Sequence, residues 1–570
     1  MTVHQKILAD AEFIYGDHGP RVARALQELT DRFAAGDRAP ADGEGAPGGR
    51  HQFSRRDAVL ITYADSIRSE GEKGLGTLAR VLPGLVGDVV DTVHLLPFFP
   101  WTSDDGFSVS DYLSVDPELG DWDQVEELGG SFRLMFDAVV NHMSASHPWF
   151  EAYRRGEHPY RDYVRTVDPA TDLSGIVRPR TSPLLTPVET SRGIEHVWTT
   201  FSADQIDLDY ETPEVLLEIM TILLEYVERG ASLIRLDAVT YLWKEIGTSG
   251  VHHPRTHRVV QLMRHVLDAV APGTSIITET NVPHEENISY FGNGRDEAQL
   301  VYNFALPPLV LHSFVAGDAT VLSDWAASLS TPSDSTHFFN FLASHDGIGV
   351  RGAEAFLDQQ QISALAERVE QHGGLVSSRS VGDGPDQPYE LNINYFDALS
   401  DPGSDEDQEI AVRRFLTAQA IMLALPGVPG IYIHSLLGSR GWPAGVQEQG
   451  YPRAINREKL DAQQLIQELS DPEGRRARVL EGIRHLMRVR RDQEAFEPTA
   501  PTTVHRLDPG VLALERGTGD AAVMCLHNVT DREITVELPT ADGDLLDPGA
   551  QIRAAVTLAP WQTRWVGLHA

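Results

Sequence analysis

The sequence predicts an α/β protein, a (β/α)8 TIM barrel with two loop insertions and a C-terminal antiparallel β-domain, and three features carry that prediction. Short apolar runs suited to buried strands recur along most of the chain, with helical patterns between most of them, as βα repetition requires. Four of these runs end on an acid or an imidazole. Such a barrel builds its active site in that way, at the C-terminal ends of its strands. The last ~75 residues instead carry short alternating runs separated by turn residues, the signature of a small antiparallel module.

Taken in order, residues 3–35 read as helical, because Val22, Leu26, Leu29 and Phe33 recur at helical spacing. A Gly/Pro-rich stretch, 39–49, follows. Its Gly43, Gly45 and Gly48 match a dinucleotide fingerprint, but no strand precedes them and Pro47 interrupts them, so 1–54 is an N-terminal helical arm and linker. The barrel opens at 58–63, and further strands are expected at 89–96, 132–140, 231–237, 274–279, 299–304, 338–343 and 428–433. This divides the barrel into 55–142, 211–346 and 401–495. The intervals 143–210 (a loop domain B, rich in Pro, Tyr and Arg) and 347–400 (a second insertion, B′) are too long for simple crossovers. Both leave the C-terminal face and are expected to roof the active site. Residues 496–570 form the β-domain, with strands around Val523-Met524-Cys525-Leu526-His527 and Glu533-Ile534-Thr535-Val536.

Length and charge narrow the function. A chain of 570 residues with 41% hydrophobic content suits a barrel with insertions and an appended module. Its formal net charge of -36 repels nucleic acid and anionic membrane, so the expected partners are small molecules, and the protein a monomer or homodimer. Any anionic substrate must then be drawn in by a local basic pocket. The single cysteine, Cys525, excludes an intrachain disulfide and a cysteine-based metal site. The start Met1-Thr2-Val3-His4-Gln5-Lys6 has no apolar signal core and no run approaches a membrane span, so a cytoplasmic location is expected.

The most informative strand is Ala231-Ser232-Leu233-Ile234-Arg235-Leu236-Asp237. Side chains two apart on a strand share a face, so a carboxylate has a guanidinium fixed beside it. Similar ends occur at Phe136-Asp137-Ala138-Val139-Val140-Asn141-His142, Ile277-Thr278-Glu279 and Ala343-Ser344-His345-Asp346. Retaining cleavage of a glycosidic bond needs a nucleophilic carboxylate and a protonated carboxyl about 5–5.5 Å apart. Asp237 and Glu279 end successive strands, which makes that spacing plausible. Arg235 is expected to keep Asp237 ionised, and Glu279, with no adjacent cation in sequence, to stay protonated.

In this order the four segments resemble the signature regions of the α-amylase-type glycoside hydrolases, family thirteen. The resemblance implies that Asp237 is the nucleophile, Glu279 the acid/base and Asp346 the transition-state stabiliser. Ile61-Thr62-Tyr63-Ala64-Asp65, Asn141-His142-Met143-Ser144, His345-Asp346-Gly347-Ile348-Gly349 and Ile455-Asn456-Arg457 are similar to the sucrose-phosphorylase-like subfamily. Thr280-Asn281-Val282-Pro283-His284 and His434-Ser435-Leu436-Leu437-Gly438-Ser439-Arg440 resemble its glucosylglycerate phosphorylase branch. What this implies is reversible phosphorolysis of 2-O-α-D-glucosylglycerate to α-D-glucose 1-phosphate and D-glycerate through a glucosyl-enzyme. Phosphorolysis of sucrose, sucrose 6-phosphate or glucosylglycerol is the alternative. A plain α-glucosidase or transglucosidase, or a silent barrel that would have shed its acids, stands further off.

The resemblance also assigns the grip on the glucosyl ring to His142, His345 and Asp346, with Asp104 and Arg457 clamping its distal hydroxyls. Phosphate is a co-substrate and no cofactor is implied. A dianion entering beside two carboxylates needs fixed cations. The loop domain supplies Arg178 and Arg180, with Arg180 at the position of the family's phosphate contact, and Lys244, Arg440 and Arg453 are further candidates. Asn141 helps hold calcium in ordinary amylases, but the pattern offers no oxygen cage, so no metal is expected. His252-His253-Pro254-Arg255-Thr256-His257 looks metal-like, yet Pro254 breaks its helical context.

Overall fold

The computed structural model describes residues 1–35, 49–379, 386–538, 541–550, 552 and 554–568. Eight parallel strands form its centre: β1 Val59–Thr62, β2 Thr92–Leu95, β3 Arg133–Ala138, β4 Ala231–Leu236, β5 Ser275–Thr278, β6 Leu300–Tyr302, β7 His337–Asn340 and β8 Val428–Tyr432. They pair in sequence order and close when β8 meets β1 through Val59↔Gly430, so no strand has an unpaired edge. Every residue of these strands is buried except Arg133 and Ser232, as strands covered on both faces must be. Each lies within or overlaps the run expected for it. Closure depends on a small residue in β8: a Cβ on Gly430 would lie 2.2 Å from Cζ of Phe339, whose ring fills the barrel beside it.

Register decides what the strand ends bring together. Thr278 is paired with Leu236, which sets Glu279 beside Asp237 one step further on, and Asp137 is paired with Arg235. The chemistry of one site is therefore written across three neighbouring strands.

The loop domain after β3 holds a hairpin, Leu185–Thr190 against Gly193–Trp198, over a small cluster of Val167, Ile176, Leu184 and Trp198. The insertion after β7 carries a three-stranded sheet, Ile348–Gly349, Leu375–Arg379 and Gln387–Asn392, with the helix Gln359–Gln371. The C-terminal region forms a five-stranded antiparallel sheet and a two-stranded one with an apolar core of their own. Arg516 ties this module to the barrel, donating from its buried guanidinium to the carbonyl oxygens of Ala424 at 2.6 Å and Glu497 at 3.0 Å.

The arm is not one helix. It breaks into α1 Val3–Tyr15 and α2 Gly19–Ala34 around Gly16, which adopts φ 56°. A side chain resists that conformation, so glycine ends α1, and Pro20 suits the first turn of α2. The reading of 39–49 as a linker falls almost wholly outside the described residues. α1 packs on α3, Pro254–Val270, through Asp10, which is 1% exposed. Its carboxylate accepts from Arg258 at 2.9 Å and lies 2.6 Å from Nδ1 of His265.

Because hydrogen bonds to a charged group contribute about 1.5–3 kcal/mol, Asp10→Ala is expected to loosen the arm selectively. Hydrogen exchange across 3–34 should accelerate at least tenfold while the barrel strands keep their protection. Unchanged exchange in the arm would show that its apolar face alone holds it.

Candidate active site

Arg235 organises the strand ends. Its side chain is 2% exposed, with Nη1 on Asp137 of β3 and at 2.8 Å from Oδ1 of Asp237, and Nη2 at 3.8 Å from Oε2 of Glu279. The rings of Phe107 and Tyr302 flank the guanidinium with centroids 5.6 and 5.5 Å away. The other oxygen of Asp137 lies 2.7 Å from Nε2 of His94 on β2, so a buried polar row runs from His94 to Asp237. Beyond Asp237 the backbone turns through Ala238 at φ 50°, a strained conformation for alanine, and the Ala238 N–H donates to Oε2 of Glu279 at 3.2 Å.

Burial pushes the Asp237 carboxyl up to about 7; Arg235 opposes this, while Asp137 and Asp346 add to it. Arg235 opposes the rise without cancelling it, because it divides its charge between two acids. Burial likewise raises Glu279 to about 7, with Arg235 opposing and Asp237 and Asp346 adding. Carboxyls so coupled titrate as a pair. Direct contact with Arg235 favours the ionised form of Asp237, and Glu279, 3.8 Å from the same guanidinium, is the better placed of the two to keep a proton.

Asp346 lies 2.6 Å from Arg453 and 3.6 Å from Arg457. His345 is stacked on Phe107 at 4.8 Å, and Nε2 of His142 is 2.8 Å from the Phe107 carbonyl oxygen. Both imidazoles are held neutral, chiefly by burial. Arg457 donates to the His345 carbonyl at 2.9 Å and to Oδ2 of Asp105 at 2.9 Å, with Asp104 at 3.7 Å. Asp105 therefore anchors Arg457, and Asp104 lines the cleft. The two sit consecutively at φ 54° and 46°, which aims the pair at different targets at a cost in strain.

Most of these side chains line one cleft. Asp104, His142, Asp237, Glu279, His345 and Asp346 are all on its wall, with Arg180, Gln205, Tyr241, Asn281, Tyr389, Glu390 and Arg453. Arg180 stands over the Tyr389 ring at 5.6 Å. The other basic candidates are placed differently. Arg178 is tied to the Ser182 carbonyl and is not on the wall. Arg440, also off the wall, pairs with Asp397 at 2.8 Å and stacks on Phe396. Arg453 is on the wall but chelates Glu390 at 2.9 and 2.6 Å.

Lys244 requires the largest correction. Its Nζ lies 3.1 Å from Oδ2 of Asp207, 3.1 Å from Oδ1 of Asn141, and 2.9 and 3.3 Å from the carbonyl oxygens of Tyr241 and Leu208. An oxygen cage does exist, contrary to expectation, and the Lys244 ammonium fills it; it is not available to an anion. Its oxygens come from 141, 207, 208 and 241, too dispersed to read from sequence. Among the described residues no group of three or more His, Cys, Asp or Glu could hold a metal, and His252 instead pairs with Glu286 at 3.0 Å.

Glu390, Tyr389, Asn281 and Asp105 were not singled out in the sequence. Glu390 becomes notable only when Arg453, on a distant loop, meets it. Asn281 is betrayed only by Gly349, where a Cβ would come within 2.5 Å of its side chain.

A family model of the α-amylase catalytic domain matches residues 64–359. A glucosylglycerate phosphorylase of Allomeiothermus silvanus is 50% identical, covering 99% of this chain and 98% of that protein. Another from Escherichia coli is 43% identical, covering 99% and 100%. The crystal structure of sucrose 6F-phosphate phosphorylase from Thermoanaerobacter thermosaccharolyticum superimposes with a TM-score of 0.73 at 25% identity, covering 85% of this chain and 96% of that one. With its acids at the C-terminal ends of a closed barrel and half of its residues shared along nearly its whole length, the chain belongs to the α-amylase family, in the group that contains the glucosylglycerate phosphorylases.

Proposed function

We propose that the protein is a retaining glucoside phosphorylase, converting 2-O-α-D-glucosylglycerate and phosphate reversibly to α-D-glucose 1-phosphate and D-glycerate. The observation that carries this reading is the pair Asp237 and Glu279, both raised by burial to about 7, in a cleft that also exposes the cationic Arg180. The identity to glucosylglycerate phosphorylases over the whole chain supports the choice of acceptor.

In the first half-reaction a carboxylate oxygen of Asp237 attacks the anomeric carbon. The bond to the glycerate oxygen breaks, and that oxygen takes the Glu279 proton. His142, His345 and Asp346 hold the ring hydroxyls, and Asp104, with the buried Arg457 behind it at 3.7 Å, closes the far side, so one glucosyl unit is transferred. In the second half-reaction a phosphate oxygen attacks the same carbon from the side that glycerate left, gives its proton to Glu279, and frees Asp237. Two inversions restore the α configuration. No metal is needed in this scheme, since the Lys244 ammonium supplies the positive charge of its cage. We place the enzyme in the cytoplasm, where the free thiol of its single cysteine, Cys525, suits a reducing compartment.

Incubation with phosphate and each of glucosylglycerate, sucrose, sucrose 6-phosphate and glucosylglycerol, followed by early NMR, tests the reaction. Glucosylglycerate should be consumed fastest with α-glucose 1-phosphate as first product. A β-anomer would remove Asp237 from the nucleophile's role, and preference for another glucoside would move the acceptor assignment.

The acid form of Glu279 exists below its raised pKa and is lost above it, so kcat/KM for glucosylglycerate should fall as pH rises through about 7. It should fall again on the acid side as the pair takes a second proton. With α-glucosyl fluoride, whose leaving group needs no proton, the alkaline limb should vanish. Likewise Glu279→Gln should cost about 10²–10⁴-fold on the glycerate glucoside and far less on the fluoride. Equal losses on both would assign the proton to another group.

Lys244→Ala strands the buried Asp207 carboxylate, which by analogy with other broken buried pairs costs about 3–5 kcal/mol. Calorimetry should show the lowered Tm of this variant recovering with calcium, while wild type responds to neither calcium nor EDTA. A wild-type Tm that falls in EDTA would mean that a metal is held elsewhere.

A further inference from the structure

The loop 102–108, which brings Asp104 and Phe107 to the cleft wall, is bent against its own backbone preference. Asp104 and Asp105 at φ 54° and 46° are followed by Gly106 at φ 107°, so three successive residues have positive φ. Such a run persists only where the surroundings over-determine it. Part of the hold comes from the barrel. Arg457 and Tyr451 both donate to Oδ2 of Asp105, and Gly106 is pressed so close to Pro97 that a Cβ there would lie 2.7 Å from the Pro97 carbonyl oxygen.

The rest comes from the loop domain, through Asp204. One oxygen of its carboxylate, Oδ2, accepts from Oγ1 of Thr102 at 2.6 Å, from Oγ of Ser103, and from Oγ of Ser108 at 2.8 Å. These hydroxyls flank the bent run on both sides. A carboxylate only accepts, so all three turn their protons toward it. Asp204 is itself fixed: its carbonyl oxygen accepts from the Ala145 N–H at 2.9 Å, and the next residue opens the strand Gln205–Asp207, which pairs with His142–Ser144. Its contacts with the loop span 96 to 102 positions of sequence, beyond anything a local turn cap would reach. Asp204 is not on the cleft wall, so it can act on a bound sugar only through the loop it holds.

We propose that Asp204 is a positioning residue for the sugar grip: by gathering Thr102, Ser103 and Ser108 on one oxygen it sets the bent run, and with it the place of Asp104 against the distal hydroxyls of the glucosyl unit. This rests on the glucosyl-transfer reading above. Hydrogen bonds to a charged acceptor are the strong ones, and three of them converge here. With the carboxylate gone, the strain at Asp104 and Asp105 has less to oppose it. The backbone then relaxes toward ordinary angles, which turns Asp104 away from the sugar while the barrel strands stay as they are. The loop domain therefore does more than roof the cleft, because its returning segment sets how closely the glucosyl unit is held.

The test uses the full-length enzyme hydrolysing α-glucosyl fluoride and its 4-deoxy analogue, which lacks one distal hydroxyl. The ratio of kcat/KM for the two reads the grip and cancels any uniform loss of active enzyme. In wild type the missing hydroxyl should cost on the order of 10²-fold, since it leaves polar groups of the site unpaired. Asp104→Ala should remove most of that cost, and Asp204→Ala should lower it about tenfold although Asp204 touches no sugar. Asp204→Asn, which keeps an acceptor oxygen, should retain most of the wild-type ratio. If Asp204→Ala does not fold, Ser103→Ala combined with Ser108→Ala removes two of the three hydroxyls from the loop side and should lower the ratio in the same direction. A wild-type ratio in either folded variant, even with a lower overall rate, would make Asp204 an ordinary structural anchor and overturn the proposal. A wild type indifferent to the 4-hydroxyl would overturn it too. If wild type releases no glucose 1-phosphate from glucosylglycerate, the phosphorylase reading fails, yet fluoride hydrolysis needs neither phosphate nor glycerate, and the ratio still decides the role of Asp204.

Discussion

Everything at the cleft depends on the division of one buried guanidinium, Arg235, between Asp137 and Asp237, with Glu279 just beyond contact at 3.8 Å. A guanidinium that served Asp237 alone would hold it firmly ionised and leave Glu279 little reason to share its proton. Divided as it is, it compensates part of two charges and permits the coupled pair to carry one proton near neutrality. The arrangement requires β3, β4 and β5 to stay in register, since a shift of one residue would turn Arg235 away from the interior. Closure of the barrel supplies that constraint: each strand is gripped on both sides, down to the contact between Gly430 and the Phe339 ring.

How an acidic chain admits anions follows from the same accounting of local charge. A net charge of -36 acts over the whole surface, but exposed charges beyond about a Debye length are screened. Inside the cleft the balance is set by near neighbours instead. Arg453 and Arg457 are spent on Glu390, Asp346 and Asp105, which fixes them in place. Cations without such partners are the ones left to meet a ligand. The distinction is invisible in composition and plain in the list of ion pairs.

The same distinction separates what the sequence could tell from what it could not. Strand ends were legible because period-two patterning places Arg235 and Asp237 on one face, and because apolar runs announce where strands stop. Asp237, Glu279, Asp346, His142 and His345 each belong to such an end, and all reach the cleft. Residues on loops carry no comparable signal. Arg178, Lys244 and Arg440 stood beside Arg180 as basic candidates, and only contacts across the fold show that they are tied elsewhere. The helical arm was legible as helix, but its break at Gly16 depends on one backbone angle that spacing of apolar residues does not encode.

Lys244 shows why such contacts matter beyond bookkeeping. Its ammonium takes oxygens from Asn141 at the end of the β3 segment, from Asp207 and Leu208 at the close of the loop domain, and from Tyr241 on the cleft wall. One side chain therefore joins the two roots of that domain to the wall it roofs. A covalently tethered cation cannot be lost by dilution or chelation, so this join in the roof that carries Arg180 does not rely on an exchangeable ion at the Lys244 position. Position in the fold, and not the residue type, turns a lysine that sequence suggests for phosphate into the internal counterion of Asp207.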